Sequence, residues 1–380
     1  KVLVSLTGWL LPTLLALGAA ILLVSIVLGL PRTPGWRAAL IRLTQLAGFT
    51  LLVVSLAGYG VNRNENLFGT WTDLYRYVSK TAPPPRTVTF GGPAPTAATL
   101  SGTSTPSATP TKDPIPNLPP LPSTERIQHL QVTGAASGLN GEVTIVLPEG
   151  YDPKAATAYP VLYALYGFPG AHSGFLDPAN MDYTGQVDRA VAAKKLRAPI
   201  VVIPQLAWHG IDSECVDGPQ GNVFTWLSTD VPTWMEGHLR VAKAKTSWAT
   251  TGYSAGGWCA AWIGMKNPNR FGAVMSFGGY FKPVFSTNYQ PLTQAQIESP
   301  EHNLAAMAAT NPPIIAIWSQ VARGDSVSYP SHASFMASIK APVTGTEVTI
   351  DGSGHGFHQW RPYVPNSLDW LATTLPGFAP

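Results

Sequence analysis

The run Gly252-Tyr253-Ser254-Ala255-Gly256-Gly257 has the spacing that lifts a serine out of a sheet on a sharp turn. Glycines on either side remove the Cβ atoms that would keep strand and helix apart, and the serine itself takes a strained backbone. Gly-x-Ser-x-Gly alone arises by chance in many glycine-rich loops, so the flanks decide its meaning. Residues 246–251 read as a short buried strand, and residues 257–265 read as a helix rich in small side chains. That strand–turn–helix context makes Ser254 a candidate nucleophile.

A serine is a poor nucleophile at its own pKa and needs a histidine base, held in the right tautomer by a carboxylate. On this kind of sheet the partners follow in the order serine, acid, histidine. Residues 346–350 read as the last strand, and the loop after it carries His355 and His358. His355 follows a flexible Gly352-Ser353-Gly354 turn that can present it over the end of the sheet, whereas His358 near Trp360 is expected to pack. The acid belongs after the preceding strand, read at 313–319, and Asp325 is the first carboxylate there. Asp351 is the competitor, with turn stabilisation as its plainer role. Glu298 and Glu301 precede that strand, and Glu347 lies within the last one. An oxyanion needs two backbone N–H groups. Ala255, next to the serine, supplies one, and Phe168, after the strand at 159–166, supplies the second because Pro169 has none.

These segments resemble the putative-esterase family of α/β-hydrolases, which contains esterase D, enterochelin esterases and the mycolyltransferases of actinobacterial envelopes. The resemblance covers about residues 126–375 and rests on Tyr166-Gly167-Phe168, Gly252-Tyr253-Ser254-Ala255-Gly256-Gly257 and Gly354-His355-Gly356-Phe357-His358-Gln359-Trp360. Alignment on Trp360 selects His355 over His358. Tyr166 stands where the family has His or Asp, a departure that touches the outer wall of the oxyanion loop and leaves its backbone donors intact. The resemblance implies an α/β-hydrolase fold, a Ser254-Asp325-His355 triad and an acyl-enzyme intermediate. Some members have lost the serine and only bind; all three residues are present here.

Only 12% of the 380 residues are charged, against about 25% in typical soluble domains. Residues 9–30 and 43–61 are long apolar runs, each able to cross a bilayer as a transmembrane helix. Arg32, Arg37 and Arg42 lie between them, which by the positive-inside rule puts that loop in the cytoplasm and the remainder of the chain outside. The chain starts at Lys1 rather than Met, and a preceding segment is expected. Residues 63–81 form a polar-aromatic juxtamembrane stretch suited to an interface. Residues 82–123 are dominated by Pro, Thr, Ser, Ala and Gly and read as an extended linker. Residues 124–380 are then the catalytic domain, an α/β-hydrolase with a mostly parallel sheet and helices on both faces, among them those read over 184–195 and 223–241.

Cys215 and Cys259 are an even pair that an oxidising compartment permits to bond. No Cys/His spacing matches a closed zinc site, so no metal and no other cofactor is expected. A net charge of +3 is too small to argue for nucleic acid. Aromatic residues near the expected mouth are Phe168, Phe175, Trp208, Trp258, Phe281, Phe357 and Trp360. They suit a lipid chain or a sugar, although most such residues fill cores. A membrane-tethered esterase points to an ester-bearing envelope lipid or glycolipid, of which an aminoacyl phospholipid is one specific example. The alternatives are an acyltransferase of mycolyltransferase type and a non-enzymatic envelope binding module. The sequence leaves open the natural substrate and acyl length, hydrolysis against transfer, whether Cys215 and Cys259 are bonded or two buried free thiols, the oligomeric state and protein partners.

Overall fold

The computed structural model describes residues 5–28, 35–65, 67–92 and 115–380. They fall into two compact units: one holds the chain up to Pro83 with Arg323–Asp325 and Asp351–Gly356, and the other holds Pro84–Ala322, Ser326–Ile350 and Phe357–Pro380.

In the first unit, helices α1 (Leu10–Leu28) and α2 (Trp36–Glu65) form a hairpin. Small residues let them close: Gly18 faces Leu52 and Gly48 faces Leu22. Gln45 donates to Ser25 Oγ at 2.8 Å, and the Tyr59 hydroxyl donates to the carbonyl of Gly8 at 3.0 Å. Their outer faces carry exposed Leu17, Ile21, Val27, Leu51 and Val54. Both helices are long and apolar enough to cross a membrane. α2 begins seven residues earlier than expected, so Arg37 and Arg42 lie in its first turns rather than in a loop. Arginine and the alanines beside it are good helix formers, and nothing breaks the pattern after Gly35. Arg32 lies outside the described residues.

A short helix α3 (Trp71–Ser79) follows, where the sequence had suggested only a polar-aromatic stretch. Thr70 and Asp73 form a reciprocal capping box at its start, and Lys80 ends it in the left-handed conformation.

The second unit is built on a nine-stranded sheet. Its strands are β1 (Arg86–Phe90), β2 (Ile127–Thr133), β3 (Asn140–Val146), β4 (Val161–Leu165), β5 (Ile200–Pro204), β6 (Trp248–Tyr253), β7 (Ala273–Phe277), β8 (Ala316–Ala322) and β9 (Thr344–Ile350). The spatial order is β1-β9-β8-β7-β6-β4-β5-β3-β2. The six strands from β9 to β5 are parallel, with antiparallel β3 and β2 beyond β5 and antiparallel β1 beside β9. The central strands are buried along their whole length, as a sheet covered on both faces requires. Helix α4 (Tyr183–Ala192), helix α5 (Val231–His238) and helix α6 (Ala255–Lys266) are among the covering elements. This is an α/β-hydrolase fold preceded by two apolar helices.

Three expectations shift. The stretch read as an extended linker contains β1, whose Thr/Val/Phe alternation finds a partner in β9 far along the chain; residues 93–114 of that stretch lie outside the described residues. The penultimate strand runs 316–322 rather than 313–319: its register is set by pairing with β7 and β9 from Ala316 onward, while Pro313 and Ile314 precede the ladder. The helix expected over 223–241 is interrupted by a π-turn at Trp226–Asp230, just before Pro232.

Candidate active site

Ser254 follows the last residue of β6 and precedes α6, with φ 55° and ψ −129°, backbone angles that an L-residue adopts only under constraint. The constraint comes from both sides. The Ser254 N–H donates to the carbonyl of Phe277 at 3.0 Å, and the Ser254 carbonyl accepts from Gly257 N–H at 2.9 Å. A Cβ at Gly252 would collide with the Gly256 carbonyl, and one at Gly256 with the carbonyls of Leu165 and Tyr166. Both glycines are therefore needed to bring β6, α6 and the end of β4 together. The loop after β4 comes equally close: a Cβ on Gly167 would stand 2.9 Å from Ser254 Cβ. Phe168 follows directly. Ala255 opens α6, whose first N–H groups are the positive end of the helix. The Tyr166 hydroxyl accepts from the Leu206 N–H at 2.9 Å, so the tyrosine at this position braces the loop after β5.

His355 and Asp325 are brought together: Nδ1 of the histidine lies 2.8 Å from Oδ2 of the aspartate. Asp325 is 1% exposed at its side chain and His355 13%. A carboxylate on Nδ1 fixes the tautomer that leaves Nε2 as the base. The Gly324 N–H donates to the carbonyl of Gly352 at 2.8 Å, joining the loops that carry the two residues. The competing carboxylates are engaged elsewhere. Asp351 is 89% exposed and faces Arg323, Glu347 pairs with His332, Glu298 with Lys282 and Glu301 with Lys266. His358 lies on the single turn Phe357–Trp360. That turn packs against the residue before the serine: Tyr253 stands 5.1 Å from Phe357 and 5.5 Å from Trp360, ring to ring. Burial raises the Tyr253 hydroxyl pKa well above its ordinary value, so it stays neutral.

Cys215 and Cys259 form a disulfide with a Cα separation of 5.9 Å, pinning the loop after β5 to α6. Beside it, Glu214 is 1% exposed and accepts from the Tyr280 hydroxyl at 2.5 Å. Burial, with the nearby charge of Asp212 adding to it, holds the Glu214 carboxyl well above the usual range. Sequence reasoning missed this carboxylate. Of the seven aromatic residues named for the mouth, Phe175, Trp258, Phe281 and Trp360 are buried in the core, whereas Phe168 is 37% exposed. Trp208 and Phe357 are partly exposed.

One cluster among the described residues could hold a metal. His129 on β2, Glu142 on β3 and His172 after β4 bring one ligand atom each within 4.8 Å of one another. Nδ1 of His172 stands 3.1 Å and Nδ1 of His129 3.5 Å from the same Glu142 oxygen, and His129 also bonds Thr144 Oγ1 at 2.8 Å. These contacts satisfy the cluster by itself, and its side chains are between a third and a half exposed. Residues so distant in sequence gave no spacing signal.

The model of the family described as Putative esterase matches residues 135–366. An uncharacterized protein of Corynebacterium glutamicum is 28% identical over 240 residues, which are 60% of this chain and 55% of that protein, so the chain spans about half the length of the curated relative it matches. Among solved structures, a ferulic acid esterase superimposes with a TM-score of 0.55 at 20% identity, covering 64% of this chain and 96% of its own. An S-formylglutathione hydrolase from Agrobacterium tumefaciens gives 0.54 at 16% identity, covering 65% and 94%. A fluorophosphonate-binding serine hydrolase from Staphylococcus aureus gives 0.52 at 15% identity, covering 64% and 97%. These structural likenesses are of fold, and the family match spans more than half the sequence: the chain belongs to the putative esterase family, and its nine-stranded domain is that of an α/β-type hydrolase.

Proposed function

We propose that this chain is a membrane-anchored serine esterase acting outside the cytoplasm on an ester-bearing envelope lipid or glycolipid. The observation that carries the reading is the His355–Asp325 pair, on loops that follow β9 and β8, on a sheet whose parallel neighbour β6 ends in the strained Ser254 turn. His355 Nε2 takes the proton of Ser254 Oγ as the oxygen attacks the ester carbonyl. Backbone N–H groups of Phe168 and Ala255 stabilise the tetrahedral oxyanion. The imidazolium, held by Asp325, gives its proton to the departing alcohol and leaves an acyl-serine. Water, deprotonated by His355, then attacks the acyl carbon; the tetrahedral intermediate collapses to free acid, and the proton returns to Ser254.

Anchoring and orientation rest on α1 and α2. Arg37 and Arg42 sit at the start of α2, within the distance from the membrane over which basic residues set orientation, which favours a cytoplasmic turn between the helices and an external sheet domain. The Cys215–Cys259 disulfide suits that oxidising side. Partly exposed Phe168, Trp208 and Phe357 offer apolar surface for an acyl chain or a sugar face.

The test is mass spectrometry of the products formed when the full chain in detergent meets envelope lipid extract, with Ser254→Ala as control. Free acid released only by the wild-type chain is expected. A serine-dependent new ester without free acid would replace hydrolysis by acyl transfer. No serine-dependent change would leave a binding module.

A further inference from the structure

Helix α3 lies upstream of the residues the family model matches, yet its first turn ends on the loop that carries His355. Asp73 is 3% exposed, and one of its oxygens, Oδ2, collects four donors. Two are local: the N–H of Thr70 at 3.1 Å and the Thr70 hydroxyl at 2.7 Å. Two come from the far end of the chain: the Ser353 hydroxyl at 2.6 Å and the Ser353 N–H at 3.2 Å. Ser353 stands two residues before His355. One turn further along α3, Arg76 donates to the carbonyl of Asp351 at 2.7 Å. The approach is close enough that a Cβ on Gly69 would strike the Ser353 side chain.

A capping box needs only the Thr70 bonds, so the two bonds to Ser353 are additional to what starts the helix. A buried carboxylate is costly unless its charge is met by donors, and charge-assisted bonds are the strong ones. The 351–354 segment contains two glycines and would otherwise have wide backbone freedom. The connection also runs back to α2. The Asn62 side chain both accepts from the Phe68 N–H at 2.7 Å and donates to the Phe68 carbonyl at 2.9 Å. Phe68 in turn packs on Tyr77 of α3, ring centroids 5.2 Å apart. From the end of the apolar hairpin to the base of the reaction the contacts are continuous.

We propose that α3 completes the catalytic site, with Asp73 as a positioning residue that holds the His355 loop through Ser353. This rests on the assignment of His355 as the base. The segment that leaves the membrane anchor is thus part of what orients the imidazole, and the site is finished only when that segment is docked.

The test measures the rate at which a fluorophosphonate labels Ser254 in the full chain in detergent, for wild type, Asp73→Ala, Ser353→Ala, the double variant and Asp73→Asn, with thermal unfolding of each. Asp73→Ala and Ser353→Ala are expected to slow labelling about tenfold or more, and the double variant no further than the slower single, because both remove one interaction. Asp73→Asn, which keeps an acceptor, restores part of the rate. Should Asp73→Ala lose its fold, Ser353→Ala and Asp73→Asn carry the measurement. Wild-type labelling rates in Ser353→Ala, or single effects that multiply in the double variant, overturn the proposal. A wild-type chain that is not labelled at Ser254 at all would instead sink the esterase reading on which it stands.

Discussion

The Ser254 turn and the His355 loop are held in place by different means. The turn is fixed by backbone: carbonyls of Leu165, Tyr166 and Gly256 close around two glycines, and Ser254 is bonded fore and aft by main-chain groups. The main-chain groups that shape it lie in β4 and the residue after it, β6, β7 and α6. The His355 loop has one main-chain tie, from the Gly324 N–H to the Gly352 carbonyl, and is otherwise fixed by side chains: Asp325 on the imidazole, and Asp73 and Arg76 on the residues leading to it. Two of those three come from a helix almost three hundred residues upstream. A backbone-built turn tolerates no added atom, whereas a side-chain-built loop can be loosened in steps without unfolding the sheet.

The same substitution in the two regions separates these modes. Gly256→Ala is expected to cost about 4 kcal/mol or more, since the rigid carbonyls of Leu165 and Tyr166 leave the new methyl nowhere to go. Loss of soluble, cooperatively unfolding protein is the readout. Gly69→Ala meets the Oγ and Cβ of Ser353, so the glycine-flanked His355 loop has to shift rather than a strand of the sheet. The expected outcome is an unfolding midpoint within a few degrees of wild type and Ser254 labelling slowed by about tenfold. Equal destabilisation by both would erase the distinction.

A smaller effect sharpens the picture behind the turn. Glu214 is more basic folded than unfolded, so the folded state keeps a proton that the unfolded chain releases, and stability falls as pH rises from about 4.5 towards the folded pKa. Glu214→Gln keeps the acceptor for Tyr280 and removes that loss. Its advantage over wild type in thermal unfolding is expected to be negligible at pH 4 and to grow as the pH rises. A constant difference across pH would show that Glu214 is already charged in the fold.

The same contrast explains what the sequence made legible. The strand–turn–helix around Ser254 is local, and the glycine spacing that marks it is the spacing the carbonyl contacts demand. The pairing of His355 with Asp325 was within reach because chain order and strand assignment limit the choices, whereas the bond between Cys215 and Cys259 depends on a Cα separation that the sequence does not carry. β1 was hidden in a Pro/Thr-rich stretch, since a five-residue edge strand exists only by pairing with β9. α3 was missed as well, although Thr70 and Asp73 carry the S/T-x-x-D/E signature of a helix start. The role of Asp73 towards Ser353 left no trace at all, because residues 280 apart share no pattern. Strand β8 was displaced by three residues because apolar character ran ahead of the pairing that sets its limits.

The most direct measurement is intact-mass and peptide mapping of the full chain after treatment with a fluorophosphonate, for wild type, Ser254→Ala and His355→Ala. The account predicts one adduct, on Ser254, absent from Ser254→Ala and formed at least about a thousandfold more slowly in His355→Ala. An adduct on another residue, or labelling of Ser254 that is indifferent to His355, would contradict it.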